Sequence, residues 1–263
     1  MVFLWPQPDD AQLREIYRPD YHLRWGIGGD EEEGLRAMKR QTFKRQLDRL
    51  SGSVASGRVL DVGCATGFFL EVATEAGWNA YGVELSGFAA ELAQRRFGDR
   101  VFNGTLEQAT YPDAFFDLVM LSDIIEHVPD PRSFLYEVRR VLRPDGVVML
   151  VTPNSVSLSA RLMERHWSHY NPEHLHYFSP ATIIRLLSMC GFMVECQEDF
   201  PKDLNLNYIG AQLEKNPRLF MAGLCRLAGA VVPACLKEWN FSVHCGEMMV
   251  LARKSIKFSG ERV

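Results

Sequence analysis

The sequence predicts an α/β protein built on a mostly parallel sheet with helices on both faces. Three observations carry that expectation. From residue 58 onward, short strand-like runs alternate with helix-like runs. The first strand-like run ends in a glycine turn, "GCATG", that leads straight into an amphipathic stretch. The next strand-like run closes on a carboxylate, Glu84.

Residues 1–50 precede this alternation and read as an N-terminal lid or helical segment. Within them, "GLRAMKRQTFKRQLDRL" has helical spacing, with Leu35, Met38, Phe43, Leu47 and Leu50 near one face. The other face carries Arg36, Lys39, Arg40, Lys44, Arg45 and Arg49. It reads as a solvated face, or as a lid that lends one cation to a ligand carboxylate.

The strand-like runs are "RVLDV", "AYGVEL", "RVFNG", "FFDLVML" and "GVVMLVTP". Helices are expected near 67–76, 87–97 and 131–142. Strands alternating with helices imply right-handed crossovers. The turn "RPDG" marks the start of a strand at Val147. "SPATIIRLLSMCGF" has Ser179 as N-cap, Pro180 in the first turn and Gly191 as a stop. "MVECQEDF" and "GEMMVLARK" read as two final strands. Residues 201–245 between them are too long for a hairpin turn and are expected to form a helical insertion. The main domain is therefore drawn as 51–200 and 246–263.

The chain has 263 residues, of which 47% are hydrophobic and 24% charged, as in soluble globular proteins. A net charge of -4 argues against a surface built as a whole for nucleic acid, so no nucleic-acid partner is expected. Six cysteines form no C-x-x-C pair, which fits a reduced, cytoplasmic compartment. "MVFLWPQPDD" lacks the basic region and long apolar core of a secretory signal. No twenty-residue stretch is free of charge, so no membrane span is expected.

In an open α/β sheet, ligands bind beyond the carboxyl ends of the strands. Gly63 and Gly67 let the backbone turn sharply and come close to a ligand. Glu84 sits where a carboxylate can accept both hydroxyls of a ribose. The G-x-G-x-x-G pattern of a dinucleotide site and the G-x-x-x-x-G-K-[ST] of a P-loop are both missing. Asp61, two residues before the first glycine, would repel phosphates and attract an ammonium or sulfonium group. The alternative is that Asp61 merely caps a turn and Glu84 is a surface acid. Their joint placement at successive strand ends favours the ligand reading.

"VLDVGCATGFFL" resembles the first motif of class I S-adenosylmethionine-dependent methyltransferases, [DE]-x-G-x-G-x-G. Asp61, Gly63 and Gly67 match, and Ala65 replaces the middle glycine. "YGVELS" resembles the second motif, and "FDLVMLSDIIEHVPDPRSFLYEVRRVLRPDGVVMLVTPN" the fourth strand, its helix and the fifth strand. The resemblance covers about residues 55–200 and 246–254. It implies a Rossmann-like, seven-stranded sheet and S-adenosylmethionine (SAM) as cofactor. Gly63, Ala65 and Gly67 would then line the methionine and ribose portion, Glu84 would hold the ribose and Leu85 would pack on adenine. The third-strand loop reads "NGTLEQ", without the usual acid, so Thr105 or Leu106 would offer backbone contacts. Ser122 and Asp123 would face the methionine end.

Methyl transfer to a hydroxyl needs a base, and histidine suits neutral pH. His127 lies just past the fourth strand-like run. "RHWSHYNPEHLHYFS" holds His166, His169, His174 and His176. "EHLHYFSPATI" resembles a segment of methyltransferases near the ubiquinone-type O-methyltransferases, in which His174 matches the pattern's histidine. His174 is the first candidate base and His127 the second. Each has a structural alternative as a loop or turn anchor. A base with an ordinary imidazole would lose activity in acid near a pKa of about 6.5. Glu126, His127, His174 and His176 are metal-ligand types, but their spacing matches no known signature, and no metal is expected.

The expected acceptor is a small molecule methylated on oxygen. A lipid-linked acceptor, a non-catalytic SAM-binding role and RNA methylation through the basic helix are the alternatives. "PRLFMAGLCRLAGAVVPACL" within the insertion is markedly apolar. It implies a cover over the pocket, a homodimer face or peripheral membrane contact.

Overall fold

The computed structural model describes residues 2–4, 7, 32–50, 54–171, 173–206, 209 and 240–255. Nine strands and six helices are named here in chain order. A short strand β1 (Val2–Phe3) precedes helix α1 (Glu32–Asp48). Then come β2 (Arg58–Val62), α2 (Phe68–Glu75), β3 (Asn79–Glu84), α3 (Gly87–Phe97) and β4 (Val101–Asn103). They are followed by β5 (Phe116–Ser122), α4 (Pro131–Val141), β6 (Leu142–Pro153) and α5 (Leu158–Met163). The chain continues through β7 (His176–Tyr177), α6 (Pro180–Met189), β8 (Phe192–Leu204) and β9 (Phe241–Lys254).

Seven strands form one sheet in the order β4-β3-β2-β5-β6-β9-β8. The five strands from β4 to β6 run parallel, and β9 pairs antiparallel with β6 and β8. This is the seven-stranded, mostly parallel α/β sheet expected. From β2 the chain steps outward through β3 to β4, then returns to β5 on the other side. The strand order therefore reverses between β2 and β5, and a crevice opens beyond their carboxyl ends.

Central strands are buried on both faces, as parallel strands between helix layers must be. In β5, Val119 and Leu121 join a core with Leu135, Val138, Ile183 and Leu187 of α4 and α6. Leu118 and Met120 point the other way, into a core with Phe69 and Leu70 of α2 and Ala93 of α3. Helix starts follow the expected capping chemistry. Asp130 accepts from the amides of Arg132 (3.0 Å) and Ser133 (3.1 Å), with Pro131 in the first turn. Ser179 and Thr182 form a reciprocal capping box on α6. Gly191 follows α6 at φ 79, as a stop signal should.

Two strand boundaries differ from the sequence pattern. β6 begins at Leu142, and its pairing with β5 jumps from Phe116↔Leu142 to Leu118↔Val147. The "RPDG" turn is thus looped out of the ladder, with Asp145 at φ 61. β8 and β9 also continue into the segment assigned to the insertion, pairing as far as Leu204↔Phe241. Their outer ends show little apolar alternation, which is why the pattern stopped short. The helical character expected for the centre of 201–245 lies outside the described residues, as does most of 1–31. Among the described residues, no helix is long and apolar enough to cross a membrane.

Helix α1 packs its apolar face inward, with Leu35, Met38, Leu47 and Leu50 buried. The arginines of its outer face are paired rather than merely solvated. Arg36 binds Glu71, Arg40 binds Glu71 and Glu75, and Arg49 reaches Glu198. Asp203 of β8, fully buried, collects Arg45 and Thr42 of α1 together with Ser242 of β9.

Candidate active site

The glycine turn after β2 is built by backbone chemistry. The amides of Gly63 and Cys64 donate to the Val83 carbonyl of β3 at 2.8 and 3.1 Å. Gly63, Ala65 and Gly67 take φ values of 76, 46 and 86. A Cβ on Gly63 would strike Ile124, and one on Gly67 would come within 2.7 Å of the Phe97 ring. Both glycines are therefore required by conformation and by packing. Ala65 bears the strain of a left-handed residue, and in that pose its amide donates to Glu84 Oε2 at 2.9 Å.

Glu84 ends β3, buried, with Oε1 accepting from the Ser86 amide at 2.7 Å. Burial raises its pKa, and the backbone donors of Ser86 and Ala65 work against that rise. Each carboxylate oxygen has two acceptor directions, so these bonds orient the group and leave capacity for ribose hydroxyls. Asp61 is 5% exposed and, among the described residues, its carboxylate has no hydrogen-bond partner. Burial, and then Glu84, hold its pKa well above the carboxylate range. A buried acid without a donor, beside a glycine turn, suits the ammonium of an amino-acid moiety.

Leu85 is 54% exposed beside Glu84, an apolar surface open to a flat ring. Asn103 at the end of β4 pins this corner by donating to the carbonyls of Glu84 (2.8 Å) and Leu85 (3.2 Å). The Thr105 amide is already engaged by Gln108 at 2.9 Å. The Leu106 side chain is buried in the core. The structure brings Asp61, Gly63, Ala65, Gly67, Glu84 and Leu85 to one crevice.

Across the strand-order reversal, β5 ends at Ser122. Asp123 follows at φ 56, its amide bound to the Val151 carbonyl at 2.9 Å. Its carboxylate receives Lys202 Nζ at 3.0 and 3.2 Å, and Lys202 also pairs with Glu247. Burial would raise the Asp123 pKa, but Lys202, then Lys39, hold it well below the usual range. Burial pushes Glu247 up against the pull of Lys202. Lys202 and Glu247 carry no motif. The one sequence hint was a lone acid leading the apolar run "MMVLA".

Beyond Asp123, a 3-10 turn (Ile125–His127) presents Glu126 and His127. The loop before β7 folds back onto it. The Leu175 amide donates to the Glu126 carbonyl at 2.8 Å, and Asn171 accepts from the amides of Glu173 and His174. β1 pairs with β7 and holds this loop from outside. His127 and His174 thus meet edge to face, centroids 4.7 Å apart, with His169 6.4 Å beyond. His127 Nδ1 lies 2.9 Å from the Glu173 carbonyl; since a carbonyl only accepts, that nitrogen carries the hydrogen. Burial, then His127 and His169, push His174 down to about 3. His169 sits at about 4 for the same first reason, and burial lowers His127 too.

One grouping was hidden by sequence spacing. Donor atoms of Glu126, His127 and His174 lie within 4.8 Å of one another. Among the described residues, Glu126 Oε1 and His174 Nδ1 are buried without hydrogen-bond partners, while Glu126 Oε2 accepts from Thr152 at 2.9 Å. His176 stands apart, its Nε2 3.4 Å from the Pro129 carbonyl.

Fold and crevice together define a nucleoside-binding α/β enzyme domain whose ligand carries a cationic end. The comparisons sharpen this. A methyltransferase-domain family model matches residues 35–197. A probable S-adenosylmethionine-dependent methyltransferase of Mycolicibacterium smegmatis is 30% identical over 148 residues, 56% of each chain. A ubiquinone biosynthesis O-methyltransferase of Methylococcus capsulatus is 31% identical over 163 residues, 59% of this chain and 67% of that one. A malonyl-[acyl-carrier protein] O-methyltransferase of Serratia marcescens is 30% identical over 151 residues, 57% of this chain and 58% of that one. The matches span little more than half the length of the first of these curated relatives. Among solved structures, magnesium protoporphyrin IX methyltransferase from Synechocystis, with bound S-adenosylhomocysteine, superposes with a TM-score of 0.61. It is 14% identical and covers 94% of this chain and 100% of that one. A SAM-dependent methyltransferase from Archaeoglobus fulgidus gives 0.57 at 22% identity, covering 85% and 97%. The chain belongs to the class I S-adenosylmethionine-dependent methyltransferases, and the crevice residues fit that cofactor.

Proposed function

We propose that the protein transfers a methyl group from SAM to an oxygen atom of a small-molecule acceptor. The observation that carries this is the crevice itself: a buried Asp61 with no hydrogen-bond partner among the described residues, the glycine turn, and Glu84 aimed by backbone donors. SAM supplies an activated methyl group when bound, so the protein's task is alignment and proton removal. Asp61 and Glu84 hold the two polar ends of the cofactor. Relatives named as O-methyltransferases support oxygen as the target. His174 takes the acceptor's proton, supported by its Nδ1, which among the described residues has no hydrogen-bond partner. His127 holds it in place from the side.

A second reading keeps the reaction and changes the base. With Glu126, His127 and His174 around a divalent cation, the acceptor oxygen would be polarised there instead. Burial raises Glu126 and lowers the two histidines, so all three favour their neutral forms. The test is S-adenosylhomocysteine release across acceptor classes, before and after chelation. Turnover that survives chelation keeps the imidazole base; loss restored by added Mg²⁺ or Zn²⁺ favours the cation. No release with any acceptor class, despite bound SAM, would leave a binding protein.

A further inference from the structure

Helix α5 is six residues long, and the fold uses only one side of it. Ser159 donates to the Cys245 carbonyl at 2.9 Å and accepts from the Trp167 indole at 3.1 Å. Ala160 is buried with Trp167 and Tyr177, and Met163 packs on that group. The opposite side carries Leu158 and Leu162, one turn apart, 72% and 75% exposed. Two leucines left in water forgo the burial that their size offers.

The exposure extends beyond the helix. Val156, just before it, is exposed. Tyr170 is exposed as well, its ring centroid 5.2 Å from that of Trp167 and 5.0 Å from that of Tyr177. Val2 of β1, also exposed, is the register partner of Tyr177 and so lies on the same face of that small ladder. These side chains are carried by three elements that meet at the buried Trp167 and Tyr177. Cations border them. Arg161 stands beside the leucines on α5, and Arg165 follows in the next turn. Both are exposed, and among the described residues neither has an ion pair or a hydrogen bond. Residues 156–166 hold one acid, Glu164, against these two arginines and His166, on a chain whose net charge is -4.

An apolar patch so exposed needs a cover, and its make-up selects one. A lasting contact with another protein takes about 20–30 residues on each side. This patch is far smaller. Its parts are those of an interfacial anchor: aliphatic side chains that enter the acyl boundary, a tyrosine whose hydroxyl stays at headgroup level, and arginines for lipid phosphates. We propose that α5 and the flanking Tyr170 form a docking surface for an anionic lipid bilayer. Leu158 and Leu162 insert, and Arg161 and Arg165 pair with the headgroup phosphates. The contact is peripheral and reversible, since so few anchors give only marginal binding. The loop that carries Tyr170 also carries His174, so docking holds that loop at the lipid surface.

The apolar run at 217–236 is a second source of affinity for lipid, so the variants are placed on α5 and its turn alone. The full chain is floated on a density gradient with vesicles of phosphatidylcholine, and of phosphatidylcholine with phosphatidylglycerol, at low and at high salt. Binding to the anionic vesicles should exceed binding to the neutral ones and fall with salt. Leu158→Gln with Leu162→Gln should weaken binding to the anionic vesicles by roughly 10-fold. Arg161→Gln with Arg165→Gln should cost roughly fivefold per arginine, on the anionic vesicles only. All four positions are exposed, so melting temperatures should not fall. If the leucine pair did lower it, the salt dependence of the arginine pair still decides. Absence of wild-type binding to anionic vesicles would overturn the proposal. Equal binding by the wild type and both variant pairs would do the same, by moving the affinity to another part of the chain. So would self-association in light scattering that the leucine pair abolishes while vesicles stay unbound, which gives the surface to a second copy.

Discussion

The two halves of the crevice are made of different material. The cofactor half is backbone: three left-handed residues, amide donors from Gly63, Cys64, Ala65 and Ser86, and two short-range carboxylates. All of it lies between residues 58 and 86. The half proposed to face the acceptor is made of side chains from the ends of β5, β8 and β9 and the loop before β7. Asp123, His174, Lys202 and Glu247 come from distant parts of the chain. Backbone sites tolerate change in surrounding sequence but not in geometry, whereas side-chain sites are the reverse. The first half should therefore fail through conformation, and the second through chemistry.

The largest expected effect tests the chemical half. His174→Ala should cut turnover by roughly 10²–10⁴-fold while leaving S-adenosylhomocysteine affinity in place. Single-turnover kinetics beside calorimetry would check it; loss of cofactor binding instead would blur the division between the halves. The acid limb also moves from where an ordinary imidazole puts it. A histidine lowered to about 3 stays neutral through mild acid, so the rate should hold below pH 6.5 and fall only well under it. The His174 ring should likewise show no NMR titration near its free value.

Next in size comes Gly67→Val. A branched side chain at φ 86, aimed at Phe97, should cost about 3 kcal/mol or more of stability and remove cofactor binding. Denaturant unfolding measures the first and calorimetry the second. Normal stability would mean that the turn is looser than its geometry implies. Glu84→Ala follows, with a loss of roughly 1.5–3 kcal/mol in S-adenosylhomocysteine affinity. An unchanged affinity would remove Glu84 from the ribose. The smallest effect is a gain: Ala65→Gly should relieve left-handed strain and raise stability by up to about 1 kcal/mol, partly offset by unfolded-chain entropy.

The same division explains what could be read from the chain. Alternating runs, the cap at Ser179 and the turn at Gly63 are local signals, and each appears where the sequence placed it. The outer ends of β8 and β9 were not visible, because "PKDL" and "FSVHC" alternate weakly and gain their order from each other. His127 and His174 were found as residue types, but their contact was not. It depends on the Leu175 amide reaching Glu126 across the fold, which no spacing encodes. Lys202 was invisible for the same reason: a lysine in "FPKDL" looks like any surface lysine until its strand is placed beside Asp123.

The final rungs of the β8–β9 ladder have a consequence for how such an enzyme can diversify. With Leu204 facing Phe241, the chain leaves the sheet and returns to it at adjacent points. Asn205 and Asn240, 3.3 Å apart, close that neck, and Asp203 bolts it to α1. The free energy of closing a loop grows only with the logarithm of its length. Whatever lies between 205 and 240 can therefore be lengthened, shortened or exchanged at almost constant thermodynamic cost. The mount works as an interchangeable socket, and evolution can trial new pieces there without touching the glycine turn after β2.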